Sequence, residues 1–418
     1  MPSESIMVKN LPSNIIEDGV YSIDQANPNS YTHSYFKYPC KFIPEIPRWA
    51  INKYTNPSES PIIYDPFSGS GTTLLEASLK GLKSYGSEID ETAKLVTRVK
   101  TTPFTVEQLE NLDQTFEQLI QVLHNEEAGL IIAEINNIEH WFPTQTIEEL
   151  GRLRYAIEHL ADIVVKEFFQ VCFVSIIKKV SFADDVSPKP YVSNKVKKIP
   201  PTVEKEFTNT YKRYKESICE FSVVNNTVIP TILEGGVFGL DKENTFDLAI
   251  TSPPYINAFD YARSMRLENL WLGLASEEEI RKKKKDYVGT ESIKKTRGFS
   301  KKDFLKDSPL LVTYLEAILS QDQARAEIVN KFFIDMKLNL ELVYKALKEN
   351  GVYVIVIGNS SIRNVNIDSW LVLKEIGIAM GYKYLTHFSY DIRNPYIRIP
   401  RKGKGGNINV DHILVLSK

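Results

Sequence analysis

The residue types best able to do chemistry lie in two short loops. The first, residues 65–71, reads Asp-Pro-Phe-Ser-Gly-Ser-Gly, and its glycines Gly69 and Gly71 let the backbone turn sharply and approach a ligand without an intervening Cβ. The spacing has neither the Gly-Lys-Ser/Thr of a phosphate loop nor the third glycine of a dinucleotide motif, so a nucleotide triphosphatase and a dehydrogenase are disfavoured. The loop predicts a small-molecule site, and a purely structural turn between a strand and a helix is the alternative.

The second loop, Thr251-Ser-Pro-Pro-Tyr255, is rich in hydrogen-bond acceptors. Its two successive prolines fix their φ angles and supply carbonyl groups without competing N–H donors. Ser252 adds a hydroxyl acceptor, and Tyr255 offers a flat face on which a base could stack. Such a loop suits the binding of an amino group, whose hydrogens need acceptors, although a simple proline turn would have the same residues.

Both loops follow predicted strands of one sheet. Residues 61–65 form a short apolar run that ends in an acid, residues 72–82 have helical spacing, and residues 84–90 resemble a second strand, which together make a βαβ unit. The apolar run 246–250 leads directly into the second loop. Because the carboxyl ends of parallel strands meet at one edge of a sheet, both loops should face one crevice. Glu88, at the end of the second strand, has the usual place of an acid that binds ribose hydroxyls.

Length and composition restrict the class of protein further. With 418 residues the chain exceeds the size of one ordinary hydrophobic core, so we expect one catalytic domain with large insertions, or two lobes. A net charge of −2 argues against a protein that coats nucleic acid non-specifically, but it allows a local basic groove. The three cysteines and six histidines are scattered without zinc spacing, so we expect no metal. The polar N-terminus and the lack of an apolar run of about 20 residues predict a cytoplasmic protein that does not enter a membrane.

The pattern along the chain predicts three segments. Residues 1–90 would form the first, cofactor-binding part of a catalytic domain. Amphipathic stretches in residues 91–225, such as residues 146–165, indicate a mostly helical insertion, which is a candidate region for recognition of the substrate. Residues 226–418 would complete the catalytic domain and would carry a basic insertion at about 276–325.

Taken together, the two loops resemble motifs of the DNA amino-methyltransferases. Residues 65–73 are similar to the cofactor motif of that family and residues 251–255 to its catalytic motif, in the Ser-Pro-Pro-Tyr form typical of cytosine-N4 members. Residues 38–44 resemble the family's upstream cofactor element, with Cys40 where alanine is usual. The resemblance implies an α/β, Rossmann-like class I methyltransferase fold with a mostly parallel seven-stranded sheet and a large helical insertion.

The resemblance also implies S-adenosylmethionine as cofactor, S-adenosylhomocysteine as product, and no metal. One departure concerns Glu234, which is displaced by a residue from the place where the family has an acid near the cofactor's adenine. The implied catalytic residues are Ser252, Pro253, Pro254 and Tyr255. The implied cofactor-binding residues are Tyr38, Lys41, Phe42, Asp65, Pro66, Phe67, Gly69, Gly71, Thr72, Thr73, Glu88 and Glu234.

By this resemblance the chain would methylate the N4 amino group of cytosine in double-stranded DNA, within the restriction-modification system of a prokaryote or phage. The target base would be flipped out of the duplex. A separately encoded companion restriction endonuclease is a plausible partner by the same resemblance. Three alternatives stay open: an adenine-N6 DNA methyltransferase, an RNA base-amine methyltransferase, and a cofactor-binding protein without catalysis. Three basic segments are candidates for phosphate contacts: residues 189–198, residues 282–285 with Lys294, Lys295 and Arg297, and residues 398–404.

Overall fold

The computed structural model describes most of the chain. Three of the expectations above fall outside the residues that it describes: those for Cys40, for the basic residues Lys294, Lys295 and Arg297, and for residues 398–404. The described residues are 5–24, 29–39, 41–195, 197–224, 227–256, 261–291, 293, 298–392 and 410–418.

Eleven β strands are present in the described residues. Nine of them form one sheet and the other two form a small antiparallel hairpin. The strands are β1 (Ile6–Val8), β2 (Val20–Ile23), β3 (Ile62–Asp65), β4 (Lys83–Ser87), β5 (Thr231–Leu233), β6 (Phe246–Thr251), β7 (Leu347–Gly358), the hairpin strands β8 (Ser360–Ile362) and β9 (Val365–Ile367), β10 (Lys383–Asp391) and β11 (Val410–Ser417).

The large sheet has the order β1-β2-β10-β11-β7-β6-β3-β4-β5. The strands from β5 to β7 are all parallel, and β11 lies antiparallel between β7 and β10. In chain order the parallel part reads 3-2-1-4-5, which is a doubly wound, Rossmann-like arrangement. The predicted α/β class with a mostly parallel sheet is confirmed.

The predicted count of seven strands is corrected to nine for the sheet as described. The two additional strands, β1 and β2, pair in parallel with each other, and β2 extends the sheet edge beside β10 through Val20 and Tyr21. Each has at most four residues, too few to show an alternating pattern in the sequence. Pairing with a distant strand decides that these segments become strands.

The helices begin where side chains can bind their free amides. Asp90 accepts a hydrogen bond from the backbone N–H of Ala93 at 3.0 Å, and Thr105 and Gln108 form a reciprocal capping box. The predicted single stretch 146–165 is two helices, because Asp162 binds the amides of the second. The α helices are α1 (Glu45–Tyr54), α2 (Thr72–Leu79), α3 (Glu91–Thr101), α4 (Val106–His124), α5 (Ile138–Trp141), α6 (Thr144–Glu158), α7 (Ile163–Ile177), α8 (Val203–Ser222), α9 (Tyr261–Ser264), α10 (Arg266–Leu272), α11 (Glu277–Lys283), α12 (Pro309–Leu319), α13 (Gln323–Ala346) and α14 (Ser369–Ala379).

Residues 91–225 contain α3 to α8 and no named strand in their described part. These helices do not form a separate core. One continuous apolar cluster joins Leu75 of α2, Val96 of α3, Phe168 of α7 and Trp271 of α10. The helical region therefore packs directly onto the helices that flank the sheet. Its role in DNA recognition stays a prediction.

The two faces of the sheet are covered by different helices. Along β7, Val354 and Val356 point to the cluster that contains α1, whereas Tyr353 and Ile355 point to the cluster built with α12, α13 and α14. This alternation is what the two-residue period of a strand requires. None of the helices described is both long enough and apolar enough to span a membrane.

Candidate active site

Strands β3 and β6 lie side by side at the centre of the sheet. They pair in parallel, with Ile63 opposite Leu248 and Tyr64 opposite Ala249. From β3 the chain continues to β4 and β5 on one side, and from β6 it continues to β7 on the other. The strand order reverses between them, and in open α/β sheets a crevice for ligands forms outside the carboxyl ends at such a point. The two chemically promising loops follow these two strands.

The two loops are joined directly by hydrogen bonds. The Thr251 hydroxyl donates to Asp65 Oδ1 at 2.7 Å, and the backbone N–H of Phe67 lies 3.1 Å from Asp65 Oδ1 and 3.2 Å from Thr251 Oγ1. Asp65 is fully buried, and burial raises the pKa of its carboxyl to about 6. Its carboxylate thus fixes the second loop against the first. This corrects its predicted place, because Asp65 lies beneath the crevice and not on its surface.

The glycines of the first loop have the backbone conformation that their residue type allows. Gly69 has a φ of +51° and Gly71 a φ of +80°. A Cβ on Gly69 would lie 2.9 Å from the ring of Tyr38, and one on Gly71 would lie 2.7 Å from Thr97 Cγ2. The loop is therefore packed closely on both sides, and only glycine fits at these two positions without displacement.

Glu88 follows β4 and binds the backbone around it. Its Oε1 accepts hydrogen bonds from the N–H groups of Ile89 and Asp90, both at 2.8 Å, and its Oε2 accepts one from Gly69 at 2.9 Å. Burial raises the pKa of this carboxyl to about 7, although the three N–H donors oppose that shift. A carboxylate has about four acceptor sites, so one remains for a ligand hydroxyl.

Both loops line one cleft with about 890 Å³ of space between atoms, part of it open to solvent. Gly69 and Pro254 therefore share a cavity, as the sequence predicts. The predicted site residues that line it are Tyr38, Lys41, Phe42, Pro66, Phe67, Gly69, Thr72, Glu88, Ser252 and Pro254.

Several predicted site residues lie outside this lining. Glu234 is the clearest correction, because its side chain is 85% exposed and forms an ion pair with Lys94 at 2.8 Å. The two residues that follow Glu234 line the cavity instead. These are Gly235 and Gly236, and both have a positive φ. Gly71 and Thr73 lie behind the lining, where Gly71 is the N-cap of α2 and Thr73 is fully buried.

The catalytic loop also differs in part from its predicted geometry. Tyr255 is 8% exposed, and its hydroxyl donates to the buried carboxylate of Asp411 at 2.6 Å. Asp411 also accepts a bond from Tyr390 at 2.9 Å. Tyr255 therefore packs into the core at the base of the loop, which corrects its expected place as an open stacking face. Pro253 is buried between the two residues that do line the cleft.

Other lining residues had no signal in the sequence analysis. Tyr261 and the segment 286–288 close the cleft from the side of the second insertion, and Val237 and Phe238 continue from the two glycines. The Gly-Gly pair at 235–236, shortly after a strand, is a sequence signal that could have placed Val237 and Phe238 at the site. Tyr287 has no comparable pattern around it, because its position depends on how α11 packs.

The basic segments that the structure describes contain several ion pairs. Lys282 pairs with Glu278 at 2.8 Å, Lys283 with Glu91 at 3.1 Å, and Lys198 with Asp185 at 2.8 Å. These ammonium groups already have acidic partners within the protein. Their contacts with phosphate stay a prediction.

The lining fits a cofactor of the S-adenosylmethionine type. Glu88 supplies a carboxylate for ribose hydroxyls, Gly69 leaves space that a Cβ would fill, and Lys41 supplies a cation for a carboxylate. Burial lowers the pKa of Lys41 to about 8, so its ammonium is mostly charged at neutral pH. In the described part of the chain, no group of three or more histidine, cysteine or acidic side chains could hold a metal ion.

Comparison with known proteins agrees with this class of site. Residues 8–98 match a family model described as DNA methylase, whose name covers both N6 and N4 methylation. The type II methyltransferase M.MvaI of Kocuria varians is 25% identical, over 94% of this chain and 90% of its own length. The type II methyltransferase M.BsoBI of Geobacillus stearothermophilus is 28% identical, over 70% of this chain and 62% of its own length.

The chain is therefore similar to the DNA methylase family, through residues 8–98 to the family model and over most of its length to the type II methyltransferases. Among solved structures, the rRNA methyltransferase aviRa of Streptomyces viridochromogenes overlaps 91% of this chain and 88% of its own, with 9% identity and a TM-score of 0.31. A similarity that low has no bearing on the substrate. The family model spans both kinds of amine, so the choice between them depends on the site itself.

Proposed function

We propose that this protein transfers the methyl group of S-adenosylmethionine to the N4 amino group of cytosine in double-stranded DNA. The observation that carries the proposal is the cleft shared by the two loops, in which Ser252 and Pro254 lie opposite the glycine loop. The Thr251–Asp65 hydrogen bond keeps that arrangement fixed. The Ser-Pro-Pro-Tyr form of the loop favours cytosine N4 over adenine N6. The type II methyltransferase relatives support DNA as the substrate.

The chemistry requires alignment more than covalent catalysis. When bound, the cofactor supplies a methyl group on a positively charged sulfur. The Ser252 hydroxyl and the carbonyl of Pro253 accept the two hydrogens of the exocyclic amine. These bonds would draw the nitrogen away from conjugation with the ring and direct its lone pair towards the methyl group. Transfer would break the methyl–sulfur bond, leave its electron pair on the sulfur, and release one amine proton along the hydrogen bond to Ser252.

A stacked base cannot reach this cleft, so the target cytosine must leave the duplex. Extrusion costs a few kcal/mol, which contacts with the DNA backbone must offset. Tyr261, which is largely buried but lines the cleft with its ring centroid 6.4 Å from that of Tyr38, is an aromatic side chain in the cleft wall. In the proposal, Tyr261 has the base-stacking role that the sequence analysis gave to Tyr255.

Nucleoside mass spectrometry tests the proposal. Plasmid DNA is incubated with the purified protein and S-adenosylmethionine, digested to nucleosides and compared with DNA from a reaction without protein. We expect N4-methylcytosine. N6-methyladenine as the only new nucleoside would reassign the target base, and methylation of RNA in preference to duplex DNA would overturn the DNA assignment.

The variant Ser252→Ala tests the role of the catalytic loop. Because Ser252 would contact the substrate amine, turnover should fall by a factor of about 10 to 150, as expected for a lost hydrogen bond of about 1.5–3 kcal/mol in the transition state. The dissociation constant for S-adenosylmethionine should stay within about twofold of the wild-type value, since that loss is confined to the substrate side. An equal loss in calorimetric cofactor binding and in methyl transfer would count against Ser252 as a substrate contact.

A further inference from the structure

Directly behind the glycine loop lies a lysine with no acidic partner. Lys100, in the last turn of α3, is fully buried, and its Nζ donates one hydrogen bond of 3.3 Å to Ser70 Oγ. Within the residues that the structure describes, no carboxylate forms an ion pair with it. Ser70 itself lines the cleft. A buried cation of this kind is normally paired, because an isolated charge in a protein interior is strongly unfavourable.

The surroundings of Lys100 are positively charged overall. Lys41 lies close enough to disfavour the charged form of Lys100, and its own ammonium donates to the backbone oxygen of His33 at 2.7 Å. Glu76, which like Lys100 interacts electrostatically with His33, is already bound by the ring of His33 at 2.8 Å and by two nitrogens of Arg48 at 2.7 and 2.9 Å. Burial lowers the pKa of His33 to about 4, so its ring is neutral at pH 7. The uncompensated positive charge therefore lies on the side of the cleft.

We propose that Lys100 is a positioning residue that acts through Ser70: it is neutral in the free protein and takes up a proton when a ligand carboxylate enters the cleft beside Ser70 and Lys41. The ligand is the carboxylate of the amino-acid part of the cofactor. This inference rests on the proposed function, since it requires that cofactor. Burial lowers the pKa of the Lys100 amine well below its usual value, because an apolar interior disfavours the charged form.

Proton uptake makes cofactor binding dependent on pH. A group that is neutral when free and charged when bound favours binding as the pH falls, so affinity should weaken by up to about tenfold for each pH unit above the pKa of the free amine. Two other groups that line the cleft titrate near neutral pH, Lys41 with a pKa of about 8 and Glu88 with a pKa of about 7. The decisive measurement is therefore the difference in proton uptake between two ligands, or between two variants.

The experiment is isothermal titration calorimetry of the full-length protein at about pH 7 in buffers of low and high ionisation enthalpy, which gives the number of protons taken up on binding. The first ligand is S-adenosylhomocysteine. The second is 5′-methylthioadenosine, which has the same nucleoside and lacks the amino-acid part. Contributions from Glu88 and the ribose are common to both ligands. We expect S-adenosylhomocysteine to take up as much as about one proton more than 5′-methylthioadenosine.

Variants identify the group that takes up the proton. In Lys100→Met the difference between the two ligands should disappear, and in Ser70→Ala it should shrink. Lys94→Met is the matched control, because Lys94 lies on the same helix and is similarly buried but is paired with Glu234 at 2.8 Å. That variant should retain the wild-type difference.

An equal uptake for both ligands in the wild-type protein would overturn the inference, and this measurement does not depend on the folding of any variant. A wild-type difference that persists in Lys100→Met would also overturn it. If neither ligand binds, the proposed function itself is wrong.

Discussion

Replacing Glu88 by glutamine tests how the cleft holds its cofactor. The carboxylate accepts three backbone N–H groups, two on Oε1 and one on Oε2. A glutamine oxygen can keep the pair from Ile89 and Asp90, but its NH₂ group then faces the N–H of Gly69. One hydrogen bond is lost and a buried donor is left unsatisfied, which costs about 1–3 kcal/mol.

Because Gly69 is part of the cleft lining, that cost falls on the geometry of the cofactor site. A loss of about 1–3 kcal/mol corresponds to an increase in the dissociation constant of roughly 5- to 150-fold. The loss of the ribose contact adds to this. Isothermal titration calorimetry with S-adenosylhomocysteine at about pH 8 measures the change, because Glu88, with a pKa of about 7, is then mostly ionised in the free protein.

The effect should depend on pH in a defined direction. Below pH 7 the wild-type carboxyl is itself protonated in the free protein, so that binding through the carboxylate must release a proton. The contribution of Glu88 to wild-type affinity therefore falls on acidification, and the ratio between Glu88→Gln and wild type should shrink towards pH 6. Glu91→Gln serves as control, because Glu91 pairs with Lys94 and Lys283 outside the cleft. A ratio below twofold at pH 8, or one of equal size at pH 6 and 8, would refute the reasoning.

Two further substitutions have defined outcomes. Gly71→Ala should destabilise the protein by at least about 1–2 kcal/mol, because its φ of +80° is unfavourable for alanine and its Cβ would lie 2.7 Å from Thr97; an unchanged thermal midpoint in calorimetry would contradict this. Tyr255→Phe removes the 2.6 Å bond to buried Asp411 and should cost about 1–3 kcal/mol of unfolding free energy in urea, whereas a purely exposed stacking role would leave stability unchanged and lower only turnover.

Local residue order was enough to predict the centre of the molecule. The apolar runs at β3 and β6, each followed by a loop of glycines or prolines, specify two strand ends in one parallel sheet, because strand, loop and helix signals are all short-range. The cofactor and catalytic loops could therefore be assigned to one crevice before any coordinates were known. Glu88 could be placed in the same way, since it directly follows β4.

The roles of individual side chains at the site were decided by contacts between distant segments. Glu234 follows β5 as the sequence suggests, yet Lys94, 140 residues away in the chain, draws it out of the cleft. Tyr255 has the spacing of a stacking residue, but the carboxylate of Asp411, 156 residues later, binds its hydroxyl in the core. No local pattern carries such information, because it depends on which strand lies beside which.

The sequence by itself thus determined the class of fold, the two loops and the chemistry that they can support. Only the tertiary structure decided that the sheet has two additional edge strands, that Tyr287 from the second insertion closes the cleft, and that Lys100 is buried with no acidic partner among the described residues. The physical reason is that hydrogen-bonding and turn preferences act within a few residues, whereas burial and charge pairing are properties of the packed chain as a whole.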